Sequence, residues 1–300
     1  TQLSRYETGR ITYHYDLKQK NEDELADWIS GFPGPRLVIL NTVQNAAVLA
    51  NHFSEKFGRA HVEHLSTALT AIDREKTFNR IRARLTDSVD DDWTLIATSC
   101  VEAGVDFSFR TGFRELGSLV SLLQAAGRVN REGLHVNAQM WSFCTINNVP
   151  FNKNPGIQDA ASVLRKYFVD GKIIDPCLST KSIADEIRMY GFATKHSDLV
   201  MNEKNCQFPK VNKGFKVIDT NTRIAVVDKE IANRLRFGYV DWSMLQLNSV
   251  QIAAHIIREN NVIEVVDNIY HWNLGYDGFL GYMAGVVKNS NLFLLDFGVV

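Results

Sequence analysis

No run of this chain approaches the roughly 18 apolar residues needed to cross a bilayer, and its first residues show no signal-peptide pattern. Cysteine is scarce. Cys100, Cys144, Cys177 and Cys206 are scattered without CxxC or other metal-ligand spacing, which excludes a disulfide framework or zinc cluster and leaves reduced thiols of a cytoplasmic protein as the expectation. Charge of either sign is not in excess, with 33 Lys and Arg against 34 Asp and Glu. Any nucleic-acid contact must therefore come from local basic surface, not a global field. No GxxxxGK[ST] loop is present, nor a strand delivering magnesium-binding carboxylates, nor a His-Asp doublet of the nuclease kind. Asp185-Glu186-Ile187-Arg188 imitates a DExx box in letters, but it follows the helical stretch KSIA and reads as a helix surface. His61 and His64 form the only close histidine pair and lack a third ligand, so no metal site is expected.

What is there is concentrated in Ser118 to Gly133, SLVSLLQAAGRVNREG, an apolar helical run ending in Gln124-x-x-Gly127-Arg128-x-x-Arg131. Read as helix, positions i and i+3 share a face. Guanidinium forks match phosphate oxygens bidentately and stay charged, so one reading is a phosphate grip. The other is a solvated basic helix end, where arginine favours the dipole.

A second segment, Asp92 to Asp106, DWTLIATSCVEAGVD, reads as an apolar strand over Trp93 to Ala97 with a Thr-Ser turn after it, then Glu102, Gly104 and Asp106. A third, Arg36 to Ala46, RLVILNTVQNA, is an apolar strand ending in Asn41 and Thr42 before a helix. Strands that deliver polar residues at their carboxyl ends, each followed by a helix, are how doubly wound sheets build ligand sites.

In this order and spacing the three segments resemble motifs IV, V and VI of superfamily 2 helicases. ATSCVEAGVD and LLQAAGRVNREG look most like the helicase-nuclease of type I CRISPR systems. FKVIDTNTRIAVVD at Phe215 to Asp228, Leu245-Gln246-x-x-Ser249-Val250, and Tyr276-Asp277 with Gly281 are similar to that family's C-terminal accessory region. The resemblance implies the C-terminal half of an ATP-dependent single-stranded DNA translocase. Arg128 and Arg131 would be γ-phosphate sensor and arginine finger, Gln124 would orient nucleotide, and Gly104, Asp106 and Gly127 would border it, Asp106 towards the ribose. Thr42, Ser66 and Thr98 would donate to DNA phosphates. The implied cofactor is ATP with magnesium, its metal ligands lying on a first RecA-like domain. Implied partners are single-stranded DNA, that first domain, a nuclease domain and the CRISPR surveillance complex. ATPase of the chain alone is expected to be near zero. Two alternatives stay open: a docking module of a split CRISPR helicase without chemistry, and part of another superfamily 2 DNA or RNA helicase.

The organisation expected is α/β: a RecA-like parallel sheet sandwiched by helices over 1–150, a helical linker over 151–195, and a smaller α+β domain over 196–300. Strands are predicted over Arg10 to Leu17, Ala60 to Leu65 and Gln139 to Thr145, and helices over Glu22 to Ser30, Gln44 to Phe57 and about Ala71 to Leu85. The last of these carries Arg74, Lys76, Arg80, Arg82 and Arg84 beside Asp73 and Glu75, which suits a solvated face or a DNA track. Trp242 and Trp272 suit a small domain's core or base stacking.

Overall fold

Six parallel strands form the main sheet of the computed structural model, which describes residues 9–87, 89–146, 155–172, 174–190, 197–214, 221–239 and 241–288. They are β1 (Thr12–Lys20), β2 (Arg36–Ile39), β3 (Val62–Leu65), β4 (Thr94–Ala97), β5 (Thr111–Glu115) and β6 (Gln139–Thr145), in the order β1-β6-β5-β2-β4-β3. The four strands β2 to β5 are buried along their whole length. Helices on both faces demand this, and it is why these segments read as apolar runs without alternation.

Alternation appears instead in which face each side chain serves. Leu37 and Ile39 of β2 enter one apolar core with Leu95 and Ala97, while Val38, Leu40 and Ile96 enter the other. The second core holds α1 (Glu22–Ser30) and α2 (Val43–Phe57); the first holds α4 (Leu119–Ala126) and Ile81 of α3 (Ala71–Thr86). Each of these helices begins where a polar side chain satisfies an orphan backbone N–H. Asn21 and Glu24 make a reciprocal capping box, and Thr42, Thr70 and Ser118 accept from Asn45, Asp73 and Ser121. The predicted helices are found within a residue of their expected ends. The strand expected from Ala60 begins only at Val62, because Arg59–His61 forms a 3-10 turn. The opening strand lies two residues later and runs on to Lys20. Strand β5, TGFRE, is an addition to the expected elements.

β2 and β5 are neighbours, yet the helices that leave them, α2 and α4, pack on opposite faces. A crevice therefore opens between their carboxyl ends, the switch point at which doubly wound sheets take ligands.

Helices α5 (Pro155–Val169) and α6 (Ser179–Tyr190) follow. Val163, Leu164, Tyr167 and Phe168 bury the face that α5 turns to the first core. Asp175 caps the single turn Pro176–Leu178 between them by accepting from Cys177 N–H. Asp185 and Glu186 sit on α6, where they accept from the hydroxyls of Tyr167 and Ser182, in keeping with a helix-surface reading.

The remaining elements are α7 (Ser197–Lys204), α8 (Phe208–Gly214), β7 (Thr222–Val226), α9 (Lys229–Arg236), α10 (Trp242–Leu247), β8 (Ser249–Ala253), α11 (Ala254–Glu259), β9 (Ile263–Val266) and β10 (Ile269–His271). The strands make a mixed sheet in the order β8-β7-β10-β9. The first six residues of FKVIDTNTRIAVVD lie outside the described residues. After β10 the chain returns to the main sheet. Tyr282 N–H donates to Ala68 O at 3.1 Å, and Tyr276 hydroxyl donates to Asp73 at 2.7 Å. Trp272 is buried in the core this return creates, whereas Trp242 is 63% exposed.

Candidate functional site

The carboxyl ends of β2, β4, β5 and β6 are tied together by one buried polar network. Arg114, on β5, donates through Nε to Glu102 Oε1 at 2.7 Å and through Nη1 to Asn41 Oδ1 at 2.6 Å. Glu115 accepts from Asn41 N–H and from Thr145 hydroxyl, both at 2.6 Å. Arg114, Glu102 and Glu115 are all buried. Burial pushes the Glu102 carboxyl above its ordinary pKa, against the pull of the Arg114 charge and hydrogen bond. A charge pair this dry is costly to break from one side.

Glu102 also faces the other way through its backbone. Arg128 donates Nη2 to Glu102 O at 3.0 Å and Nε to Val101 O at 3.2 Å. Burial, then the charge of Arg131, lowers the Arg128 pKa, partly offset by Asp106; a guanidinium remains cationic all the same. Arg131 donates its N–H to Ser108 Oγ at 3.0 Å and pairs with Asp106 at 3.1 Å. Those two side chains are 45% and 81% exposed. An ion pair so open to water is worth about 0–1 kcal/mol, so an incoming anion can take the place of the carboxylate.

The two arginines are close for a reason other than the expected one. Helix α4 stops at Ala126, with Gly127 as its cap, so Arg128 and Arg131 do not share a helix face. They lie in the following loop, where Val129 bridges to Phe109 and Asn130 takes the left-handed φ of +45°. Arg128 still lies next to the C-terminal end of α4, where the dipole favours a cation, and Arg131 lies beyond it.

Gln124 is exposed on α4. Gly104 has φ +75° with open space where a Cβ would stand, so backbone conformation calls for glycine there. Gly127 is right-handed, and a Cβ would lie 3.2 Å from Gln124 O, a contact within its own helix end. Asp106, expected towards a ribose, is here the partner of Arg131.

Thr42, Ser66 and Thr98 do gather along one edge, after β2, β3 and β4. Thr42 caps α2 by accepting from Asn45 N–H at 3.1 Å. It lines a cleft of about 430 Å³ that also touches Asn41, Glu115 and Thr145 beneath α5. Thr98 is 7% exposed, and its hydroxyl donates to Cys100 Sγ at 3.6 Å. Ser66 is fully buried and accepts from Ala68 N–H at 3.2 Å; the neighbouring Thr67 is exposed.

The basic helix α3 spends much of its charge inside the protein. Arg80 donates twice to the buried Glu63, both at 2.9 Å, and Arg84 pairs with Glu63 and Asp90. His61 is exposed while His64 is buried, and among the described residues no cluster of His, Cys, Asp and Glu could hold a metal ion. Arg114, Asn41 and Glu115 carried no expected role. The signal for them was Arg-Glu side by side in an otherwise apolar strand.

Parallel strands in this order with helices on both faces define a RecA-like α/β fold, followed by a smaller mixed sheet. Residues 34–134, about a third of the chain, match the family described as CRISPR-associated nuclease/helicase Cas3, C-terminal. The CRISPR-associated helicase Cas3 of Thermoproteus tenax is 30% identical over 108 residues, 36% of this chain and 18% of that protein. The CRISPR-associated nuclease/helicase Cas3 of Haloferax volcanii is 51% identical over 39 residues, 13% of this chain and 4% of that one. The chain thus spans a small part of the curated relatives it matches. In fold it is similar to the crystal structure of T. fusca Cas3, with a TM-score of 0.59 at 14% identity over 88% of this chain and 39% of that one. The ATP form of the same protein gives 0.58 at 15% identity over 88% and 39%. A chain of a CRISPR RNA-guided surveillance complex in a pre-nicking state gives 0.52 at 11% identity over 87% and 40%.

Proposed function

We propose that this chain is the second half of a bipartite ATP-driven motor that moves along single-stranded DNA in type I CRISPR interference, working with a first RecA-like domain and a nuclease domain. The observation that carries this reading is the placement of Arg128 and Arg131. The first is anchored on the carbonyls of Val101 and Glu102; the guanidinium of the second is held by the exposed Asp106 carboxylate and a long 3.5 Å bond to Val105 O. A phosphate group fits that pair. One guanidinium is hydrogen-bonded only to neutral acceptors, with Asp106 the carboxylate whose charge reaches it, and the other can exchange Asp106 for a stronger anion. ATP, when bound, supplies the hydrolysable phosphoanhydride. Arg128 and Arg131 would meet its terminal phosphate and stabilise charge developing there, with magnesium held by the first domain. Arginines in such a role accelerate turnover on the order of 10³ to 10⁵.

In this reading Thr42 and the exposed Thr67 form the DNA-facing edge, with the buried Ser66 and Thr98 behind them. Contacts of that kind position a strand without reading its sequence. The buried network through Arg114 then joins that edge to the loop that carries Glu102, and so to Arg128. In this reading the chain divides at 151 and 196 into the second RecA-like domain, a helical linker and an accessory C-terminal domain.

The test is ATPase activity with and without single-stranded DNA, on this chain alone and after adding a separately expressed first RecA-like domain of a Cas3 protein. Activity that appears only in the mixture, and rises with DNA, is the expected result. Activity in the chain alone, or none in the mixture, overturns the half-motor reading. Arg131→Ala is expected to abolish the mixture's ATPase while leaving DNA binding, read by fluorescence anisotropy, within about twofold.

A further inference from the structure

Arg128 and Arg131 lie beyond the end of α4, where i→i−3 bonds from the Arg128 and Val129 N–H groups to Ala125 and Ala126 O are all that continues the helix. Residues 127–137 contain no regular element, yet the carbonyls of Arg128, Val129, Asn130 and His135 and several amides have fixed partners. Three side-chain bonds come from one residue placed between the two arginines.

Asn130 is 2% exposed. Its amide nitrogen donates to Arg10 O at 3.0 Å and to His135 O at 2.8 Å, and its Oδ1 accepts from His135 N–H at 2.9 Å. Its backbone N–H donates to Phe109 O at 2.7 Å, and its carbonyl accepts from Gly133 N–H at 2.9 Å. Arg10 completes the clasp from the other side: its guanidinium donates to the carbonyls of Val129 and Ala126. The lead-in to β1, the lead-in to β5 and the return to β6 are thus all pinned to the loop that presents the arginines. A left-handed asparagine is often no more than a turn residue whose side chain serves its own backbone. Here the amide also reaches Arg10, which is remote in sequence, and leaves neither of its donors idle.

We propose that Asn130 is a positioning residue: with Arg10 it fixes the loop so that Arg128 and Arg131 face a nucleotide phosphate together, without touching the nucleotide itself. This rests on the reading of the two arginines given above. The geometry separates backbone from side chain, since glycine accepts φ +45° without strain but makes none of the three side-chain bonds. Asn130→Asp keeps the acceptor for His135 N–H and loses both donors.

The experiment compares Asn130→Gly and Asn130→Asp with the unsubstituted chain, each mixed with the first RecA-like domain. ATPase is expressed per molecule competent to bind single-stranded DNA. Turnover at saturating ATP is expected to fall at least tenfold in both variants, while KM for ATP and DNA affinity stay within about threefold. Wild-type turnover in Asn130→Gly, or a loss accounted for wholly by the DNA-binding fraction, overturns the proposal. Hydrogen exchange on the chain alone gives a readout independent of ATPase. In Asn130→Gly the amides of Arg131 and His135 should exchange at least tenfold faster, with those of β2 and β4 unchanged. Unchanged exchange at those two amides overturns the clasp whatever the ATPase result. Absence of ATPase in the wild-type mixture together with accelerated exchange overturns the functional reading of the arginines and with it Asn130's positioning role.

Discussion

Arg114 is the side chain on which the strand ends depend. It is 6% exposed and feeds the Glu102 carboxylate, the Asn41 amide oxygen and the Glu115 carbonyl. Removing a buried cation strands its partner in a dry site, which costs more than the pair contributes when whole. Arg114→Met is therefore expected to destabilise the fold by about 3–5 kcal/mol, read as a lowered urea midpoint. Arg114→Met combined with Glu102→Gln should recover part of that loss; a double variant no better than the single would show that the Glu102 charge is not the cause. Locally only the Arg-Glu pair in a short strand hints at this role. Arg128 and Arg131 stand out in the sequence because they follow an apolar helix at fixed spacing, and their chemistry can be read there. Arg114 lies in a five-residue strand and is buried only because Asn41 and Glu102, remote in sequence, close over it.

At the scale of elements, starts are more legible than stops. Asn21, Thr42, Thr70 and Ser118 each sit one residue before a helix and accept from its first turn, so the capping residue is visible in the letters. The end of α4 is not, because Arg128 and Val129 are acceptable helix residues that tertiary bonds to Phe109, Val101 and Glu102 draw away. The sequence signals a smaller α+β domain but not the pairing of its sheet, since its partners depend on crossing connections. The return segment after β10 is the least legible part, and Gly281 decides whether it docks. It has φ +64°, and a Cβ there would lie 2.1 Å from Ala68 O, a backbone atom with little room to move. Gly171 shares the left-handed conformation, with φ +65°, but faces open space. Gly171→Ala should cost only the left-handed strain of about 1–2 kcal/mol. Gly281→Ala should cost more and loosen 276–288, measured as a larger fall in melting temperature and as faster proteolysis within that segment. Equal falls for the two variants would show that the contact with Ala68 does not anchor the return.

Across the whole molecule, the return segment makes stability depend on pH through His64. This side chain is 1% exposed on β3, donates from Nδ1 to Phe279 O at 2.7 Å, and has no hydrogen-bond partner at Nε2 among the described residues. Asp277 and Arg59 are the charges that face it, the first favouring and the second opposing a proton, with Arg59 lying over the Phe279 ring. Burial outweighs both and depresses the pKa from 6.5 to about 4. The unfolded chain therefore takes up a proton near pH 6.5 while the folded chain does not take it up until about 4. Above pH 6.5 both states hold the ring neutral and its contribution is complete. Between 6.5 and 4 the unfolded state binds more protons, and stability falls with pH, by about 3 kcal/mol across the window. Glu102, with its raised pKa, acts in the opposite sense as pH falls towards the carboxylate range, so a single pH curve mixes the two. His64→Leu separates them, since it keeps Glu102 and removes the imidazole. The variant should be less stable than the parent at pH 8 through loss of the bond to Phe279 O. Its deficit should shrink steadily as urea midpoints are taken down to pH 5, because only the parent still loses stability through this ring. A deficit that stays constant from pH 8 to 5 would show that His64 is protonated alike in both states and that the buried contact with the return segment does not govern the acid response.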